Sequence, residues 1–145
     1  MIPFRTGAGF GLALLVASLA GCTPAADGRA VVRGKLLDNG KPFALDTTKL
    51  KLPPGATGLP PGSRPLSLTF LAEGGEQFPA NVTDAGTFEV VGPDGKGIKP
   101  GRYKVAITAG AGGPDYFGGK FAPDKTQIVR EVKPGEEVVI DVAKP

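Results

Sequence analysis

Chemistry in water needs a nucleophile, a base or a metal ligand, and this 145-residue chain is poor in all three. It has no histidine and one cysteine, Cys22. His-based dyads and triads, cysteine peptidases and His/Cys zinc sites are therefore closed to it. Beyond Cys22 the only serines are Ser63, in a Pro/Gly stretch, and Ser67, on the polar side of an alternating segment. Neither has an evident base beside it. Asp115 with Asp124, or Glu136 with Glu137, have the residue types for glycoside cleavage. Solvated turns and strand faces explain them better. Gly110, Gly112 and Gly113 suggest a phosphate loop, but Pro114 follows where a helix should open. Asp84 and Asp94-Gly95 lack the ligand series of a calcium loop and suit side-chain-capped turns. No enzymatic activity, metal or cofactor is expected. Two sets of residues remain. Cys22 carries a thiol that can be alkylated. Tyr116 and Phe117 are adjacent aromatics on a Gly-rich stretch, read either as a speculative ligand-binding pair or as a plug over one end of a core.

The elements around Cys22 explain its position. "MIPFRTGAGFGLALLVASLAGC" begins with positive charge at the amino terminus and Arg5, and runs through an apolar segment from Phe10 to Leu19. Small residues then lead into the cysteine. This is the order of a secretory signal peptide, and the apolar run is short for a bilayer span, which needs ~20 residues. Leu19-Ala20-Gly21-Cys22 resembles the lipobox of bacterial lipoproteins. The resemblance implies a diacylglyceryl group on the Cys22 thiol, cleavage just before it, and acylation of the new amino group. One acyl chain holds only marginally, and two or three hold stably. The expected organisation is a signal peptide over 1–21, a lipidated tether over 22–29 and a domain over 30–145. The expected location is extracytoplasmic, on the bacterial cell membrane or outer membrane, at its periplasmic or surface side.

The exported part is nearly neutral. The chain has 17 Lys+Arg against 14 Asp+Glu, and Arg5 is the only charged side chain in residues 1–21. Without a block of like charges, no nucleic-acid partner is expected. Glycine and proline, 23 and 15 residues, make up about a quarter of the chain, a level that favours turns. Between those turns lie short alternating segments. Val32, Gly34 and Leu36 alternate with Arg33 and Lys35 up to Asn39-Gly40, a strong hairpin signal. Leu66, Leu68 and Phe70 share one face of the next. Phe78, Ala80 and Val82 run into Asp84-Ala85-Gly86, followed by Phe88 and Val90. Tyr103, Val105 and Ile107 alternate with Arg102, Lys104 and Thr108. Ile128, Val132, Val138, Ile140 and Val142 are inward candidates around Pro134-Gly135. Six or seven strands with no helical period predict an all-β sandwich. Residues 45–65, with five prolines, break the pattern as an insertion expected to be separable from the core.

Four stretches, "VRGKLLDNGKP", "VTDAGTFEV", "IKPGRYKVAI" and "FAPDKTQIVREVKPGEEVVIDV", resemble successive landmarks of bacterial carboxypeptidase-regulatory-like (transthyretin-like) domains. That resemblance implies a seven-stranded Greek-key β-sandwich of the transthyretin/prealbumin (Ig-like) kind. It also implies a non-enzymatic accessory role, and transthyretin-related hydrolases of the same fold depend on histidines absent here. The expected function is a lipid-anchored envelope module that engages a protein partner or serves a structural role. The alternative is a carbohydrate or small-ligand binder, with an envelope polysaccharide at Tyr116 and Phe117. Because alkylation requires sulfur, Cys22→Ser is expected to abolish lipid attachment and processing. Detergent phase partitioning with mass spectrometry of the amino terminus checks it, and an unmodified Cys22 in the mature wild type would refute the lipoprotein reading.

Overall fold

The computed structural model describes residues 27–145, so Cys22 and the signal segment lie outside the described residues. The described chain is all-β with one short 3-10 turn, Thr47–Lys49. Its strands are β1 (Val32–Asp38), β2 (Lys41–Pro42), β3 (Leu66–Ala72), β4 (Gln77–Val82), β5 (Thr87–Val90), β6 (Gly101–Ala109), β7 (Val129–Val132) and β8 (Glu137–Asp141). They form one curled sheet in the order β2-β1-β5-β4-β3-β6-β7, with β8 on the other edge of β1. Every pairing is antiparallel except β1 with β8.

Alternation decides which residues turn inward, because successive side chains of a strand point to opposite faces. Val32, Leu36, Leu68, Phe70, Phe88, Val90, Tyr103, Val105 and Ile107 are buried, as are Ile128, Val132, Val138, Ile140 and Val142. Arg102 and Lys104, between the buried positions of β6, are exposed. The Phe70 ring lies 5.9 Å from Phe88 and 6.1 Å from Tyr103, and Phe78 meets Tyr103 edge-on at 6.1 Å. Tyr103 brings a polar tip into this core, and its hydroxyl donates to the Lys99 carbonyl at 2.7 Å. Burial pushes that phenol above its ordinary pKa.

Register gives the sheet two distinct ends. At one end, Val32 pairs with Val90, Arg33 with Glu137, Gly101 with Val132 and Ala72 with Tyr103. Ala30 bridges Ile98 there, and Arg29 is joined to Asp94 at 2.8 Å, so the chain enters at this end. At the other end, Leu37 pairs with Asp141, Val82 with Phe88 and Leu66 with Ala109. The long segments 43–65 and 110–128 both hang from that second end, opposite Arg29 and Ala30.

The 45–65 stretch departs from the expectation of a separable insertion. Asp46 caps the 3-10 turn, accepting from the Thr48 N–H at 3.1 Å. Leu50 just after it is only 7% exposed. The sequence then repeats Leu-Pro-Pro-Gly at 52–55 and 59–62. Each copy closes a turn, from the Ala56 N–H to the Pro53 carbonyl and from the Ser63 N–H to the Pro60 carbonyl, both 3.1 Å. The glycines supply φ of 88° and 80° at the third turn position, which a type II turn requires. The segment also lies directly on the 110–119 loop: a Cβ on Gly113 would overlap the Lys51 carbonyl. Burial of one leucine and this backbone contact tie the segment to the domain.

Val105 is fully buried on β6, so Val105→Ala is expected to cost about 2 kcal/mol through lost burial and a cavity. Lys104→Ala on the opposite face is expected to stay within about 0.5 kcal/mol. Urea unfolding of both variants checks the register, and equal losses would contradict it.

Candidate functional site

The end of the sheet away from Arg29 and Ala30 concentrates irregular backbone, aromatic rings and free charge, and Asp115 organises it. Its carboxylate accepts from the N–H groups of Ala109 at 2.7 Å, Phe117 at 3.1 Å and Gly119 at 2.8 Å. One side chain thus closes the loop back onto the last residue of β6. A carboxylate occupied by three backbone donors is a turn organiser. Glu136 and Glu137 are separately engaged, by Lys133 at 3.9 Å and Lys35 at 2.9 Å. The Ser63 hydroxyl donates to the Pro60 carbonyl at 2.7 Å, and Ser67 lies exposed on β3. Asp94 is held by Arg29 and accepts from the Lys96 N–H at 3.3 Å, while Asp84 is exposed. Among the described residues no group of three or more acidic, Cys or His side chains is placed to hold a metal ion.

Asp115 also sets the positions of Tyr116 and Phe117. Phe117 turns inward and packs on the core. Its ring lies 5.8 Å from Phe43, 5.3 Å from Phe121 and 5.2 Å from Tyr116. Phe43 reaches this cluster because its N–H continues the β1 ladder, donating to the Leu36 carbonyl at 2.9 Å. Tyr116 stands edge-on to Phe117, half-buried. The Asp46 carboxylate, 3.2 Å away, holds the Lys49 ammonium above its ordinary pKa.

Beside this cap runs a groove of about 330 Å³, near the lower bound for small-ligand sites. Phe43, Leu45, Leu59, Leu66 and Val82 give it an apolar lining, with Thr47, Ser63 and Thr83 hydroxyls along it. Arg64 and Asp84 stand at its rim, and neither has an ion-pair partner among the described residues. A second cleft, of about 410 Å³, lies at the other end of the sheet between Leu71, Glu73, Arg102, Lys104 and Val129. The first groove is the stronger candidate because apolar wall, hydroxyls and unpaired charges converge in it. Sequence reasoning missed it. The signal was present in the repeated Leu-Pro-Pro-Gly, which fixes two turns and holds Leu59 half-buried between them.

Compared with protein-family models, with curated proteins and with solved structures, the chain matches none.

Phe117→Ala is expected to destabilise the domain by about 3 kcal/mol, since a ring enclosed by other rings is removed. Leu50→Ala is expected to cost about 2 kcal/mol by the same mechanism. Thermal unfolding of both checks them. A neutral Leu50→Ala would restore the reading of 45–65 as separable.

Proposed function

We propose that this protein is a lipid-anchored, non-enzymatic module of the bacterial cell envelope, held to the membrane through Cys22, that engages a protein partner with the end of its sheet opposite the tether. The single observation that carries this reading is the polarity of the sheet. The chain enters at one end, and the half-buried aromatic cap, the proline turns and the groove gather at the other. A domain tethered by its amino terminus thus turns its most varied surface away from the bilayer. Loops on a rigid scaffold are where binding surfaces concentrate.

The finer fold reading, a Greek-key sandwich of the transthyretin-like type, belongs to the same proposal. It is supported by the narrow join between β4 and β5, where only Asn81 with Glu89 and Val82 with Phe88 are paired. That join would let β7-β6-β3-β4 and β5-β1-β8 face one another as two layers around the shared core. The carbohydrate-binding alternative rests on Tyr116 and Phe117 together, and the contacts of Phe117 with three other rings weigh against it. Sugar faces stack on free aromatic faces.

Site-specific photo-crosslinking in intact cells tests the orientation. A photo-reactive residue in place of Leu59 is expected to capture protein, whereas one in place of Lys96, at the tether end, is expected to capture lipid or nothing. The reverse pattern would overturn the proposal. Retention of the wild type on envelope polysaccharide, lost in Tyr116→Ala, would favour the alternative.

A further inference from the structure

The hairpin between β1 and β2 turns on Asn39 and Gly40, both at positive φ, 51° and 77°. The paired positive values are those of a type I′ turn. An acidic side chain from the far end of the sequence grips this turn. Asp141, the last residue of β8, accepts from the Asn39 N–H with Oδ1 at 3.0 Å and from the Gly40 N–H with Oδ2 at 2.9 Å. Its Oδ1 also accepts from the Ala143 N–H at 3.0 Å. The Asn39 side-chain amide is held separately, donating from Nδ2 to Asp38 Oδ1 at 3.0 Å. Asn39 and Gly40 are themselves exposed.

Asparagine followed by glycine carries an intrinsic reaction. The glycine nitrogen, on losing its proton, attacks the asparagine side-chain carbonyl carbon. A bond forms between Gly40 N and Asn39 Cγ, the Cγ–Nδ2 bond breaks, and ammonia leaves carrying that proton. Water then opens the five-membered imide at one carbonyl or the other, leaving aspartate or isoaspartate. Water is the only co-reactant. Glycine has no Cβ to shield its nitrogen or limit the backbone rotation that the attack requires.

We propose that Asn39-Gly40 is a self-modification site of this protein and that Asp141 sets its rate. The carboxylate opposes the first step, because loss of the Gly40 proton would break this hydrogen bond and leave a negatively charged nitrogen beside a negative charge. The bond from Asn39 Nδ2 to Asp38 opposes the second by keeping the amide turned toward residue 38. Loss of water around the Asp141 carboxyl works to raise its pKa. The N–H groups of Ala143, Gly40 and Asn39 outweigh this and bring it below the ordinary value, so the carboxylate is charged at neutral pH. Its hold ends when the segment after β8 detaches from β1, where the Val142 N–H donates to the Leu37 carbonyl at 2.9 Å. The product adds a carboxylate beside Asp38 and Asp141. As isoaspartate it also lengthens a two-residue loop that has no slack. Either form disturbs the start of the segment that carries Phe43 into the aromatic cap.

The test uses the full chain, purified in detergent and incubated at neutral pH, with mass-spectrometric mapping of the peptide containing Asn39. The wild type is expected to be modified at least about tenfold more slowly than D141A, because a charge-assisted hydrogen bond must break first. It is expected to be slower by a similar factor than the same chain in urea, with D141N in between. Equal rates in wild type and D141A, or in folded and urea-unfolded wild type, would overturn the proposal. Should D141A not fold, D141N decides: with its unfolding transition retained, a rate equal to the wild type overturns the proposal and a faster one supports it.

Discussion

The whole sheet depends on one close approach, made across Gly34. β1 is paired on both edges, with β5 on one side and β8 on the other, and Gly34 sits opposite Phe88 and Val138 at once. A Cβ at this position would overlap both the Phe88 ring and the Val138 carbonyl oxygen. Phe88 can therefore lie directly over the β1 backbone and reach Phe70 on β3. That contact joins the strands around β1 to the group containing β6. Glycine inside a strand ordinarily weakens it, and here its missing side chain is the space the core needs.

Carboxylates organise much of the rest of the fold. At the end away from Arg29 and Ala30, Asp46, Asp115 and Asp141 turn their carboxylates onto backbone N–H groups that loops would otherwise leave unpaired, Asp46 while also pairing with Lys49 at 3.2 Å. The short aspartate side chain reaches backbone two residues away without a long, flexible stem. Glu89, Glu131, Glu136 and Glu137, on strands and the β7–β8 turn, pair with surface Lys and Arg instead. Such exposed pairs are worth little individually. The aspartates, by contrast, determine where loops return, and so hold the aromatic cap and the groove at a fixed place.

At the edges of the sheet, β7 and β8 lie near one another, and Arg130 spans the seam. Its Nε donates to the Val139 carbonyl at 2.9 Å and its Nη1 to the Val129 carbonyl at 2.8 Å. Open edges offer unpaired carbonyls to other chains, and a charged side chain occupying them is a recurrent way of blunting that tendency. The proposed lipid anchor would concentrate copies on a membrane surface, which gives this protection a use.

Strand positions, inward faces and the Asn39-Gly40 hairpin were legible in the sequence because they follow from local rules: the two-residue period of a strand, and the positive φ a tight hairpin demands. Alternation gave no sign of Ala106, buried on the opposite face of β6, but Tyr103, Val105 and Ile107 on that strand, and Val138 and Ile140 on β8, could be read residue by residue. The parallel pairing of β8 with β1, the burial of Leu50, the enclosure of Phe117 by Phe43 and Phe121, and the grip of Asp141 on a turn about a hundred residues earlier could not. Each is a contact between segments distant in the chain, and nothing in the composition of either segment specifies its partner. The sequence by itself determined that the domain is all-β and which face of most strands is apolar. Tertiary structure alone decided that the proline segment lies on the Gly-rich loop and that both gather at the end away from Arg29 and Ala30. Pairing register is a property of the whole sheet, set by the joint burial of every apolar face.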